Sequence, residues 1–344
     1  MAAASPHSRM SDVADRAGVS LSTVSRALRG APGVAPEVRE RVQRAAAELS
    51  YVVSRNASGL VTGATGRVAV LVPFLQPWFF GVALAGIGTR LRQADLDMLV
   101  YQVGDMRGVE EYLGELPLRR NVDAVIALSL DLDEGEIAVL DEVGVPVVFV
   151  SQRIPERASV FIDNAAAARS ATRHLLNLGH TSIAFVQSAD STGFAWSSAE
   201  RVNGYREAMT DAGVRPQVLV GESGPRGGAL AAGELLSRAE PPTAIFAESD
   251  DVAMGVLRVL QRSGLAVPEV MSVLGFDNHD MAELLDLSTV AQPVSEMGAV
   301  AARLAIEAVA DPAAVPHVEL ATNLLVRGST AGPRAATRLV SGNE

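Results

Sequence analysis

Residues 12–29, DVADRAGVSLSTVSRALR, decide the reading of the amino-terminal part of this chain. Val13, Ala14 and Ala17 recur at helical spacing, Gly18 is the residue that takes a left-handed turn at no steric cost, and Ser20 is suited to cap a second helix. Val24 and Leu28 then face inward on that second helix. Ser22, Ser25, Arg26 and Arg29 fall on the opposite side, where short hydroxyls allow close approach to phosphates and Arg can bond bidentately to guanine. An ordinary amphipathic helical hairpin would share the inward face. The outward face favours a helix-turn-helix that lays its second helix in a DNA groove.

A third helix is expected from Pro36, with Glu37 at its positive end and Val38, Val42, Ala45 and Leu49 at helical intervals closing a small core. Arg39, Arg41 and Arg44 are expected to be exposed. Together Asp12-Val13-Ala14, Ala17-Gly18-Val19-Ser20, Thr23-Val24-Ser25-Arg26 and Arg39-Glu40-Arg41-Val42 through Leu49 and Tyr51 resemble the amino-terminal signature of the LacI family of bacterial transcription regulators. The resemblance implies that Leu21, Ser22 and Arg26 face base edges and that Ser20, Thr23 and Ser25 meet phosphates.

Composition sets further bounds. The 344 residues, 48% of them hydrophobic, exceed one ordinary domain, so two or three folding units are expected. There is no Cys, and the five His show no paired-ligand spacing, so neither disulfides, a metal nor a cofactor is expected. No apolar run has the length of a membrane span and no signal-like segment opens the chain, which predicts a cytoplasmic protein. The net charge of −11 divides unevenly: residues 1–62 carry eight Arg against five acids, and the remainder is strongly acidic. The basic surface therefore lies in the head.

Residues 54–66 are small, polar and Gly-rich and read as a linker. Apolar runs then alternate with helical periodicity: Val68–Val72, Met98–Tyr101, Ala124–Leu128, Val147–Val150, Ile183–Val186, Thr243–Phe246 and Val270–Leu274, with helices near 79–94, 164–178, 199–212, 226–238, 251–263 and 294–310. Repeated β-α units predict parallel sheets covered on both faces. Ligands of such sheets bind beyond the carboxyl ends of strands. Arg153, Asp163, Ser249-Asp250 and Asp277 follow apolar runs there, although acids in that position also serve as helix caps.

The LacI-family resemblance extends through most of the chain, carried by Arg153, Val160 to Asn164, His174-Leu175, Leu178-Gly179-His180, Arg201, Gly204-Tyr205, Asp250, Ala253, Gly255, Gly275-Phe276-Asp277, Gln292-Pro293 and Val326 to Thr330. It implies a small all-α helix-turn-helix head over residues 1–53, a hinge over 54–66, and an α/β two-lobed body over 67–334 similar to periplasmic sugar-binding proteins, followed by a tail at 335–344. Lobe one would comprise about 67–162 and 292–322, lobe two about 163–291 and 323–334, with a small-molecule effector, a sugar, between them. The implied effector residues are Phe74, Trp78, Phe79, Arg153, Asp163, Arg201, Ser249 and Asp277. The implied partners are a two-fold operator in double-stranded DNA and a second copy of the chain, so the protein reads as an effector-controlled repressor.

Departures from the family pattern are informative. Phe74-Leu75-Gln76-Pro77-Trp78-Phe79-Phe80 replaces the polar stretch frequent after the first strand; its aromatic side chains either pack the lobe or stack on a ligand. In the hinge, Arg55 and Ala57 precede Leu60, which occupies the position of the family's minor-groove wedge. Gly59 beside it costs a helix about 1 kcal/mol relative to Ala. Two other functions compete with regulation. A plain solute-binding protein would leave the basic head idle. A sugar hydrolase would need Asp163 and Asp277 as a carboxylate pair. The chain carries no GxSxG or P-loop, and Gly86-Ile87-Gly88 ends its dinucleotide-like pattern at Leu91, so no catalytic role is expected.

Overall fold

The computed structural model describes residues 8–28, 30–51, 64–104, 118, 120–188 and 196–333. The chain divides into two compact units, 1–66 and 67–344. Arg29, Arg55, Ala57, Leu60 and the tail after residue 333 lie outside the described residues.

The first unit is helical: α1 (Met10–Ala17), α2 (Leu21–Leu28) and α3 (Pro36–Glu48). Gly18 takes φ 64° and ends α1, its N–H and that of Val19 returning to Asp15 and Ala14 carbonyls. Asp12 accepts a hydrogen bond from the Arg9 backbone N–H at 2.7 Å, and Ser20 Oγ accepts one from the Thr23 N–H at 3.2 Å. Val13, Ala14, Ala17, Val24, Ala27, Val42, Ala45 and Ala46 form the buried core of this unit. Of the three arginines expected to be exposed, Arg41 and Arg44 are. Arg39 is half-buried because its guanidinium donates to the Ala31 carbonyl at 2.8 Å, and Arg41, though exposed, is tied by Nε to the Ala17 carbonyl at 2.9 Å.

The second unit contains two six-stranded sheets. The first comprises β1 (Arg67–Val72), β2 (Asp97–Gln102), β3 (Ala124–Leu128), β4 (Val147–Val150), β5 (Ala158–Phe161) and β11 (His317–Glu319), in the order β11-β5-β4-β3-β1-β2. The second comprises β6 (Ile183–Ser188), β7 (Gln217–Gly221), β8 (Ala244–Ala247), β9 (Ser272–Asp277), β10 (Ser288–Ala291) and β12 (Asn323–Leu325), in the order β12-β10-β9-β8-β6-β7. All pairings are parallel except β12 on β10. Around them lie α4 (Trp78–Gln93), α5 (Glu134–Asp141), α6 (Asn164–Asn177), α7 (Trp196–Asp211), α8 (Gly224–Leu236), α9 (Asp250–Arg262), α10 (Asp280–Leu284) and α11 (Val294–Ala310). No helix among the described residues is long and apolar enough to cross a membrane.

The central strands are continuous apolar runs because helices cover both faces. On β1, Val68, Val70 and Val72 enter one core, and Ala69 and Leu71 enter another. Fully buried Phe185, Phe246 and Phe276 anchor the second sheet, each contributing about 1.5–3 kcal/mol of apolar burial. The chain passes between the sheets three times: between β5 and α6, between β10 and α11, and between β11 and β12. The Gly86 that began a false dinucleotide pattern has a packing role. A Cβ on Gly86 would collide with the Ser295 carbonyl, and one on Gly298 with that of Ala83, so α4 and α11 cross backbone to backbone there.

Segment 326–333 straps lobe two. Ser329 Oγ donates to the Val273 carbonyl at 2.6 Å, and buried His180 meets the Ala331 carbonyl at 2.8 Å and Thr243 Oγ1 at 2.8 Å. Burial lowers the His180 pKa, in keeping with a neutral ring inside this network.

Candidate functional site

In the helical unit, α2 buries Val24 and Ala27 and turns Ser20, Leu21, Ser22 and Arg26 outward. Ser20 Oγ lies 2.8 Å from Ser22 Oγ and 2.9 Å from Thr23 Oγ1, grouping three hydroxyls at the helix start. The positive end of the helix dipole and these hydroxyls suit a phosphate. Leu21 is 52% exposed at the same end, an apolar side chain that the unit's own core does not cover. Ser25 is half-buried.

In the second unit, a cavity of about 830 Å³ opens where strands of both sheets end. Phe74 follows β1, Ser129 follows β3, Ser151 follows β4 and Asn164 lies beyond β5. From the other sheet, Glu248 and Ser249 follow β8, and Asp277 closes β9. Parallel strands deliver their carboxyl ends to one side, so residues distant in sequence converge there.

Arg201 is the centre of this cavity's polar wall. It sits on α7, buried, with Nε donating to Asn164 Oδ1 at 2.9 Å and Nη1 donating to the Glu248 carbonyl at 2.7 Å. Its Nη1 stands 3.6 Å from Asp277 Oδ1, and its guanidinium carbon lies 3.6 Å from the centroid of the Phe276 ring. A buried cation without partners would cost several kcal/mol, roughly, in desolvation; here four neighbours hold it in one orientation. Burial lowers the Arg201 pKa, while Asp277, Glu248 and Asp250 act against that.

Asp277 has φ 118°, and Gln292 Nε2 donates to its Oδ1 at 2.6 Å. Burial pushes the Asp277 carboxyl up to about 8, outweighing the opposite pull of Arg201. Behind it, burial pushes Asp250 up to about 7, although Asp250 accepts hydrogen bonds from Thr289 Oγ1 at 2.7 Å and the His279 N–H at 2.8 Å. Ser198 Oγ donates to Glu248 Oε2.

Phe74, Trp78, Phe79, Arg201, Ser249 and Asp277, six of the eight residues singled out in the sequence, line this cavity. Two do not. Asp163 caps α6, accepting from the Ala166 N–H at 2.7 Å, and lines a smaller depression. Arg153 is exposed, with Nε 3.3 Å from His317 Nδ1. The carboxylate pair required by the hydrolase reading thus does not share the cavity. Ser249 has a double role, since its Oγ also accepts from the Val252 N–H at 3.3 Å to cap α9.

Sequence reasoning passed over Asn164, Glu248, His279 and Gln292, all of which line the cavity. Each had a visible signal, because each stands within a few residues of a strand's carboxyl end. Asn164 is adjacent to the Asp163 that was chosen instead.

Comparison with known proteins bears on both units. Residues 9–54 match the family described as bacterial regulatory proteins, lacI family, and residues 172–330 match a periplasmic binding protein-like domain. The HTH-type transcriptional regulator CelR of Thermobifida fusca is 37% identical over 334 residues, covering 92% of this chain and 96% of that protein. The HTH-type transcriptional repressor CytR of Escherichia coli (strain K12) is 30% identical over 93% of this chain and 96% of its own length. Among solved structures, a complex of CelR with cellobiose aligns with TM-score 0.69 and 33% identity over 94% of this chain and 100% of that one. The lac repressor dimer bound to operator and an anti-inducer aligns with TM-score 0.85 and 25% identity over 94% of this chain and 99% of that one. With relatives of this identity spanning nearly its whole length, the chain belongs to the LacI family of bacterial transcription regulators.

Proposed function

We propose that this protein is a repressor that binds a two-fold DNA operator as a homodimer and whose operator affinity is set by a neutral sugar of about disaccharide size held in the 830 Å³ cavity. The observation that carries the effector reading is the pairing of an aromatic wall, Phe74, Trp78 and Phe79, with a polar wall built on Arg201 and Asp277. Pyranose rings have an apolar face and a rim of hydroxyls, so such a cavity offers each part its complement. The solved complex of CelR with cellobiose supports the choice of sugar.

One head presents a single short recognition helix, α2. A dimer reading half-sites about 34 Å apart supplies the affinity and symmetry that one helix lacks. A ligand that favours one arrangement of the two lobes over another shifts the population competent for operator. The protein acts as a binding module of the cytoplasm and not as an enzyme, in keeping with relatives named as regulators.

Binding to a symmetric operator, measured by fluorescence anisotropy at fixed salt with and without cellobiose, tests the effector reading: a change in affinity of about tenfold or more is expected. Arg26→Ala is expected to erase most discrimination between operator and random duplex, since a bidentate base contact accounts for about 1–3 kcal/mol. An unaltered specificity ratio would remove Arg26 from the base-reading face.

A further inference from the structure

Trp78 opens α4 in lobe one, whereas His279 and Asp280 follow β9 in lobe two. The indole and imidazole centroids are 5.1 Å apart with planes inclined by 35°, and indole Nε1–H donates to Asp280 Oδ2 at 3.1 Å. Both Trp78 and His279 line the effector cavity. The contact therefore joins the two walls at the cavity itself.

The lobe-two side of this contact is held from behind. The His279 N–H donates to Asp250 Oδ2 at 2.8 Å, His279 Nδ1 accepts from the Met281 N–H at 2.9 Å, and Nε2 stands 4.0 Å from Asp251 Oδ1. Asn278, at φ 59°, is fixed by Arg327 Nη2 donating to its Oδ1 at 2.9 Å. Gly275 leaves the room this arrangement needs, because a Cβ there would collide with Asp250 Oδ1. A loop so restrained presents the imidazole and the Asp280 carboxylate as a preformed seat for the indole. Asp280 is exposed, so the packing of its own lobe does not depend on its side chain.

We infer that Trp78, His279 and Asp280 form a clasp that sets how far the cleft stands closed before an effector arrives, making Trp78 and Asp280 positioning residues for effector affinity. The clasp rests on the reading of this cavity as the effector site. Apparent affinity scales with the fraction of molecules already in the binding-competent arrangement, so a clasp that populates the closed form tightens binding whether or not its own atoms touch the sugar.

The chain has two tryptophans, Trp78 and Trp196, and a Trp196→Phe background isolates the emission of Trp78. In that background and without ligand, Asp280→Ala and His279→Ala are expected to red-shift the emission and strengthen acrylamide quenching, while Asp280→Asn, which keeps an acceptor oxygen, retains the parent behaviour. Cellobiose titration of the full chain with both tryptophans is expected to show about fivefold weaker binding for Trp78→Phe and for Asp280→Ala, and no further loss in the double variant, because both remove one bond. Unchanged quenching in Asp280→Ala and His279→Ala would overturn the clasp, as would additive losses in the double variant. If the unaltered protein ignores cellobiose, the choice of that sugar fails by itself, and the ligand-free fluorescence still decides the clasp.

Discussion

The two lobes of the second unit share one strand order and both place serines at the strand ends, but they differ in the larger side chains they set beside them. Lobe one contributes rings: Phe74, Trp78, Phe79 and Phe80. Lobe two contributes polar and ionisable groups: Arg201, Glu248, Asp251 and Asp277. Parallel topology determines where side chains converge, and the few residues after each strand determine what converges there. One lobe therefore offers area to an apolar ring face, and the other offers oriented bonds to hydroxyls. The polar wall should govern whether a ligand is accepted, and the aromatic wall how tightly.

The largest test of this division is Arg201→Ala. Removing a buried, hydrogen-bonded cation leaves Asn164, the Glu248 carbonyl and Asp277 without their shared donor, and truncating such a group costs about 2–5 kcal/mol of binding. Calorimetry is expected to detect no cellobiose binding, while operator affinity without ligand is retained. Loss of both together would signify a folding defect. Phe74→Ala should be milder, about fivefold to tenfold weaker binding on the scale of one aromatic contact. Equal losses from the two variants would dissolve the distinction between the walls.

A smaller effect is expected from pH. Asp277 keeps its proton up to about 8 in the free protein, against an ordinary value of 3.8, so between those values the folded chain binds more protons than the unfolded one. Its contribution to ligand-free stability accordingly falls as pH rises through that window. Sugar hydroxyls donating to the carboxylate favour the ionised form and expel the proton. Cellobiose affinity should therefore rise with pH and level off above about 8, by no more than about tenfold per unit. Asp277→Asn should flatten the profile, and an affinity that falls with pH in the parent protein would contradict the assignment. The smallest effect concerns Gly59, in the segment read as a hinge, where Gly59→Ala is expected to tighten operator binding by up to about fivefold at matched salt, the equivalent of about 1 kcal/mol of helix propensity.

The head was legible because its determinants are local: helical spacing, a left-handed Gly18 and a hydroxyl at Ser20 all act within a few residues. The β-α alternation was legible for the same reason. The strands that escaped are β5, β7, β10, β11 and β12: Ser159 interrupts β5, Ser288 and Thr289 open β10, and β7, β11 and β12 have no fully buried residue to mark them. A three-residue strand is specified by the neighbour it pairs with, and that neighbour is distant in sequence. In the cleft, Asp277 could be read from residue type and its place at the end of an apolar run, while Arg201, on α7, was reached only through the resemblance to the LacI family. Asp163 and Arg153 were misplaced because direction matters as much as proximity to a strand end. The residue that caps a helix turns back to the backbone N–H groups, and the next one, Asn164, faces Arg201. After β4 it is Ser151 that lines the cavity, whereas Arg153 has already turned outward.

The three passages between the lobes also impose an order on biosynthesis. Lobe two is drawn from one nearly continuous run, β6 to β10, while lobe one receives α11 and β11 only after that run is complete. On the ribosome, the first sheet emerges early but lacks the helix that covers Val70, Ile126 and Val148 until residues 294–310 follow. Apolar surface left bare in this way is a liability for aggregation. Premature termination before α11 should therefore yield a head able to fold, attached to a sheet that cannot be covered. Such a fragment would have no completed sensor to govern it, and its exposed sheet would make it a ready target for cellular quality control.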